Sequence, residues 1–162
     1  MHARTLIKHA LASAEAIPTL TVQGWIRTRR DAKGFSFLEL NDGSSLENLQ
    51  IVAPAELGNY ESEIKHLSAG CSVPIEGEVK ASPAAGQATE VHAASVVVHG
   101  WADPESYALQ KKRHSFEFLR TIAHLRPRTN TFGAIARVRN CICRSIHDFF
   151  QEEGFLYIHP PI

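Results

Sequence analysis

The chain has 162 residues, of which 44% are hydrophobic and 21% charged, with a formal net charge of zero. This is the composition of a globular protein, so a chain dominated by disorder is excluded, and neutrality gives no overall bias towards polyanions. No apolar run approaches the ~20 residues needed to cross a bilayer, so no membrane partner is expected.

The opening MHARTLIKHALASAEA is weakly amphipathic, with Arg4 and Lys8 ahead of the first acid, Glu15. A transit peptide is basic and acid-poor. This stretch is short and carries an acid, so a lead-in helix over 1–17, packed on the domain of a cytoplasmic protein, is expected instead. From Leu20 to about His99 the pattern is that of strands. Leu20, Val22 and Ile26 alternate with Thr21, Gln23 and Trp25, the period of a half-buried strand. FSFLEL follows the turn at Ala32-Lys33-Gly34, and NDGS (Asn41 to Ser44) leads through a longer loop to a third strand, NLQIVA. Pro54 to Gly70 breaks the alternation, with Ile64 and Leu67 at helical spacing and Gly70 as a stop. SVPIEGEVKAS and ATEVHAASVVVHG supply a fourth and a fifth strand around the turn SPAAGQ. Five strands with a helix between the third and fourth is the layout of an OB-fold, a small Greek-key barrel (here 18–100) often used for oligonucleotides.

Beyond it, GWADPESYALQKKRHS has few core positions and is expected to be a linker, over 101–115. The remainder, 116–162, turns helical. FEFLRTIAHLR stops before Pro127. A long helix follows, with Ile135, Val138, Ile142, Ile146 and Phe149 at spacings of three and four and Gly154 at its end. FLYIHPPI then begins as a strand. A long amphipathic helix leading into a strand is the start of an α+β domain whose apolar face wants cover.

The three cysteines, Cys71, Cys141 and Cys143, make neither a disulfide framework nor a zinc pattern. Cys141 and Cys143 sit two apart on the helix, so their side chains diverge by about 200°. Buried or half-buried free thiols are expected. The nine histidines, among them His2, His9, His66, His92 and His99, are scattered without metal spacing, and His114 and His124 do no better, so no metal site and no catalytic constellation is expected.

Charge is unevenly placed. Between Pro18 and Gly100 there are 6 basic and 10 acidic residues, and four of those basic residues fall between Arg27 and Lys33. From Trp101 onward the counts are 9 basic and 6 acidic. In FSFLEL, Leu38 and Leu40 share one face while Phe35, Phe37 and Glu39 share the other. Leu49, Ile51 and Ala53 likewise oppose Gln50. If the aliphatic faces line the core, Phe35 and Phe37 look outward beside Gln50 and the arginines. An outward aromatic near cations suits stacking on a nucleobase, an amide offers both a donor and an acceptor to a base edge, and guanidinium groups suit phosphates. The plainer reading is an aromatic packed under a loop and a solvated charged turn at Arg29, Arg30 and Lys33.

The segments VQGWIRTRRDAKGFSFLELNDGS and LENLQIV resemble the anticodon-binding domain of class IIb aminoacyl-tRNA synthetases, in particular the asparaginyl branch. RTNTFGAIARVRN and FFQEEGFLYIHPPI are similar to the entry to that family's catalytic domain, the second covering its motif 1. The resemblance runs through nearly the whole chain in consistent order. It implies an asparagine–tRNA ligase, using ATP and Mg2+ in the full-length enzyme, with the tRNA anticodon loop as partner and a homodimer as assembly. Position by position, Phe37 matches the aromatic that stacks on the central anticodon uridine, and Gln50 the polar residue that reads an anticodon base. Arg30 matches an arginine near the first anticodon base, with Arg29 as its substitute if a bulge shifts parity. Glu90 corresponds to a fifth-strand acid that helps select the base. Pro161 matches the motif 1 proline at the dimer interface, approached by Gly154 and Phe155. His159 and Pro160 depart from the threonine and the small or acidic residue common there. Motifs 2 and 3 lie beyond this sequence, so the chain alone is expected to be inactive in aminoacylation. Three other readings are an aspartyl-type enzyme, a stand-alone single-strand-binding barrel, and a regulatory paralogue that pairs with a full-length synthetase.

Overall fold

A computed structural model describes residues 3–13, 16–83, 87–110 and 112–161. The chain divides into two units, with the boundary between His114 and Ser115.

In the first unit, five strands close a barrel: β1 (Leu20–Ala32), β2 (Phe35–Asn41), β3 (Leu49–Pro54), β4 (Ser72–Ala81) and β5 (Thr89–Val96), in the spatial order β1-β2-β3-β5-β4. All neighbours are antiparallel except β3 and β5, where Ile51 faces Val91 and Val52 faces His92 in a parallel pair. Closure leaves no free sheet edge. The alternation foreseen for β2 and β3 holds: Leu38, Leu40, Leu49, Ile51 and Ala53 are fully buried, alongside Val22, Ile75, Val79 and Val91 from the other strands. The thirteen-residue β1 serves both halves of the barrel, Leu20–Trp25 pairing with β4 and Trp25–Ala32 with β2. Its turn into β2 is tight, with Ala32 opposite Phe35 and Gly34 at φ +87°, a value that favours glycine.

The lead-in helix is shorter than expected. Only α1 (Ile7–Leu11) is helical, and Ala14 and Glu15 lie outside the described residues, as do Met1 and His2. It is fastened by Asp42, whose Oδ2 accepts from the Ile7 amide (3.1 Å) and from Arg4 Nη2 (3.3 Å), while Oδ1 accepts from the amide (2.9 Å) and hydroxyl (2.6 Å) of Ser44. The same N-terminal segment covers Thr21, which the alternation had placed towards solvent. The Thr5 amide donates to the Thr21 carbonyl at 2.7 Å, leaving Thr21 buried. Between β3 and β4 the helical spacing of Ile64 and Leu67 yields turns and one 3-10 turn (Ile64–His66) rather than a helix, with both side chains delivered to the barrel end. The turn SPAAGQ falls partly on Ala84 to Gly86, outside the described residues.

The stretch after β5 is laid on the barrel. Ala102 donates its amide to Cys71 Sγ (3.4 Å) and accepts from Ser68 Oγ (2.7 Å). The ring of Tyr107 covers Gly70, where a Cβ would fall 2.7–2.9 Å from ring carbons, and Leu109 is buried.

The second unit holds α2 (Phe116–Thr121), a 3-10 turn (Arg126–Arg128) and α3 (Asn130–Glu152). Ser115 and Thr129 cap the two helices through their hydroxyls, accepting from the amides of Phe118 and Phe132. Gly154, at φ +85°, ends α3. Ile135, Val138, Ile142, Ile146 and Phe149 form an exposed stripe along it. Two expectations fail in this region. Cys141 and Cys143 are exposed, unlike the buried Cys71. Residues 155–161 form no strand, because a strand exists only with a ladder partner and none of the described residues supplies one. Among the described residues, no helix is long and apolar enough to cross a membrane.

Candidate nucleic-acid interface

Strand pairing assembles the candidate residues on the outer face of the barrel. Residues directly opposite one another in a ladder share a face. Arg30 lies opposite Phe37, Phe37 opposite Val52, Val52 beside His92, and His92 opposite Glu78. The next row runs Thr28, Glu39, Gln50 and, through a side-chain hydrogen bond, Glu90, which faces Lys80.

A bulge makes the first row possible. Within β1, Leu20, Val22 and Ile26 point inward, so strict alternation would turn residues 28 and 30 inward as well. The register shift between Ile26 and Thr28 inserts Arg27 as an extra residue and reverses parity beyond it. Arg30 therefore joins the Phe37 face, with its guanidinium carbon 5.7 Å from the ring centroid. Phe35 meets Phe37 edge-on, centroids 5.0 Å apart at 86°. Both rings are half-buried, and the Phe37 ring is thus held by an aromatic edge and a cation.

Arg29 goes elsewhere. It sits opposite Leu38, at the barrel mouth, and its Nη1 donates to Asp31 Oδ1 at 2.9 Å. Asp31 Oδ1 also accepts from the buried Ser36 hydroxyl at 2.7 Å. With its proton so committed, Ser36 accepts from the Tyr60 hydroxyl at 2.8 Å. This chain of bonds ties the hairpin to the segment beneath the barrel.

Glu90 is buried at 5% exposure although it belongs to the outer face. A buried carboxylate needs donors. Its Oε2 accepts from Gln50 Nε2 and from Ser82 Oγ, each at 3.1 Å, and its Oε1 from His92 Nε2 at 2.9 Å. Gln87 backs Ser82 at 2.9 Å. The structure therefore brings Arg30, Phe37, Gln50 and Glu90 to one face and leaves Arg29 off it, on the parity of Leu38. Gly154, Phe155 and Pro161 lie in the second unit, where the exposed Phe155 packs edge-on against Phe150 with centroids 5.5 Å apart. His92 and Ser82 were not singled out from the sequence. The signal for His92 was its parity, two residues after Glu90, and a search for metal spacing passes over it. No cluster of three or more metal-binding side chains occurs among the described residues.

A closed five-stranded barrel with an aromatic, a guanidinium and an ordered amide on one outer face is the architecture of an OB-fold nucleic-acid-binding domain. Residues 20–99 match the family of OB-fold nucleic acid binding domains of the tRNA anticodon type. Over 159 residues, 98% of this chain, the sequence is 60% identical to the asparagine–tRNA ligase of Desulfotalea psychrophila and 62% identical to that of Rhodopirellula baltica. These alignments take in 35% and 32% of the two relatives, so the chain spans about a third of their length. The crystal structure of asparaginyl-tRNA synthetase from Pyrococcus horikoshii complexed with asparaginyl-adenylate has the same fold. It superposes over 100% of this chain and 37% of its own with a TM-score of 0.81, at 24% identity. The chain corresponds to the OB-fold N-terminal domain of an asparaginyl-tRNA synthetase homologue, followed by helices that match the start of the class II catalytic domain.

Proposed function

We propose that the barrel binds the anticodon loop of an asparagine tRNA for an asparagine–tRNA ligase. The observation that carries this is the outer-face pair of rows, in which a π-face held by Arg30 lies beside an amide ordered by Glu90. Phe37 stacks on a base, Arg30 meets the backbone or a neighbouring base, and Gln50 reads a base edge. Arg29, bound to Asp31, shapes the hairpin and adds positive potential. The ligase joins asparagine to its tRNA at the expense of ATP with Mg2+, and no step of that chemistry falls to the residues of the barrel. The exposed stripe of α3, with Gly154, Phe155 and Pro161 beyond it, fits a homodimer contact of the whole enzyme, working in the cytoplasm.

The test is a fluorescence titration of this chain with an asparagine-tRNA anticodon stem-loop and with the same stem carrying a permuted loop. The expected result is preference for the first by about tenfold or more. Equal affinity for both loops would overturn the proposal.

A further inference from the structure

Uracil and cytosine present adjacent donor and acceptor groups in opposite order. Uracil offers an acceptor at O4 and a donor at N3–H. Cytosine offers a donor at N4 and an acceptor at N3. A glutamine amide carries one donor and one acceptor side by side, so a half-turn about its last bond matches it to either base. An amide free to turn therefore cannot tell the two pyrimidines apart. Selectivity has to come from whatever fixes its orientation.

In this barrel that group is Glu90. The Gln50 amide is on the outer face and points its Nε2 at Glu90 Oε2, 3.1 Å away. A carboxylate only accepts, so the reversed amide would set oxygen against oxygen over a buried charge. Glu90 is itself immobilised, by Ser82 at the same oxygen and by His92 at the other. His92 is anchored by strand pairing between Val52 and Glu78, with its side chain part-exposed. The Gln50 Oε1 takes no hydrogen bond among the described residues. What remains outward is one acceptor and one N–H, in an order the barrel dictates.

We infer that Glu90 and His92 form an orientation lock on Gln50, and that this lock, rather than direct contact between Glu90 and a base, lets the site tell uridine from cytidine, uridine being the base that the anticodon reading places at the centre of the loop. Glu90 and His92 are positioning residues: at 5% exposure Glu90 has little surface to offer a ligand, and both its oxygens are already engaged. The inference rests on the anticodon reading, and its test separates the two.

The experiment measures affinities of the whole chain for two anticodon stem-loops that differ only in uridine or cytidine at the central position, with thermal unfolding recorded for each variant. The unaltered chain should prefer the uridine loop by roughly tenfold or more. Glu90→Gln supplies an amide that accepts either orientation of Gln50, so the preference should fall to within about threefold, mainly through tighter binding of the cytidine loop. His92→Phe, which keeps a ring without a donor, should weaken the preference. His92→Gln, which restores an N–H near the Nε2 position, should recover it. A simple packing role would lower both affinities together and leave their ratio alone. A folded Glu90→Gln chain that keeps the full preference overturns the lock while leaving anticodon binding intact. An unaltered chain with no preference overturns the anticodon reading and the lock together.

Discussion

Replacing Phe37 with alanine probes the stacking role directly. In the barrel the ring makes an edge-to-face contact with Phe35, centroids 5.0 Å apart, and receives the Arg30 guanidinium at 5.7 Å. Such an aromatic pair is worth ~0.5–1.5 kcal/mol beyond burial and an exposed cation–π contact ~0.5–1 kcal/mol. Because Phe37 is half-buried on the outer face, its removal opens no internal cavity. The fold should lose about 1–2.5 kcal/mol, less than the ~5–15 kcal/mol of a typical domain, and the variant should remain folded. Binding should suffer separately. Removing a stacking platform costs ~1–3 kcal/mol, or roughly a five- to 150-fold rise in Kd for the anticodon stem-loop. Far-ultraviolet circular dichroism with thermal melting measures the first quantity and fluorescence titration the second. Phe37→Leu separates apolar contact from the π-face, and should bind nearly as poorly as alanine. A folded Phe37→Ala chain with unchanged affinity would refute the stacking role and return Phe37 to packing.

Arg30→Ala should reduce the slope of log affinity against log salt by up to about one, the effect of removing a single cation from a phosphate, whereas Arg29→Ala should change it less because that guanidinium is paired with Asp31; titrations across a salt series decide this. Asp42 is pushed up by burial and, more strongly in sum, down by the hydrogen bonds from Ser44, Ile7 and Arg4, so its carboxyl lies below the usual range. A depressed carboxyl stabilises the fold above its unfolded value of about 3.9 and loses that contribution as pH falls through the folded value, so the stability gap between the unaltered chain and Asp42→Asn should be full at pH 7 and shrink below about pH 4. Urea unfolding at several pH values measures it, and a constant gap would refute it. Gly77→Ala should destabilise the barrel by a few kcal/mol, because a Cβ there would fall within 3 Å of the His92 carbonyl oxygen, and melting curves read the effect. Limited proteolysis should spare the chain through Leu109 and cut near the boundary between His114 and Ser115, since Ala102, Tyr107 and Leu109 are held by the barrel.

The barrel was legible because its strands keep to a period of two: the parity of FSFLEL and NLQIVA already sorts Leu38, Leu40, Leu49 and Ile51 from Phe35, Phe37 and Gln50. What escaped were features that depend on distant partners. The bulge at Arg27 carries no glycine signature, and it appears only when β1 must satisfy β4 at one end and β2 at the other. Thr21 looks solvent-facing until the segment around Thr5 lies over it. Trp101 to Leu109 has a linker's composition, yet backbone groups of Ala102 meet Cys71 and Ser68, which no local pattern encodes. Ile64 and Leu67 have helical spacing because both reach the barrel end, and a single 3-10 turn suffices for that. The burial of Glu90 was equally hidden, since Gln50 on β3 and Ser82 just after β4, which donate to it alongside the neighbouring His92, come from separate stretches of chain.

The bulge gives β1 one link more than its ladder with β2 can use, and that spare link is slack. Between Ile26 opposite Leu40 and Arg30 opposite Phe37 the strand spends three residues where two would close the ladder. Omitting any one of Arg27, Thr28 or Arg29 would take up the slack and still leave Arg30 beside Phe37. An omission nearer the turn, at Asp31, has no such reserve, and would either drag Arg30 off the Phe37 row or force the slack to migrate down the strand. Two adjoining stretches of one strand thus differ in how they tolerate a change of length. Ahead of Arg30 such a change is absorbed by the backbone, and behind it the same change falls on recognition.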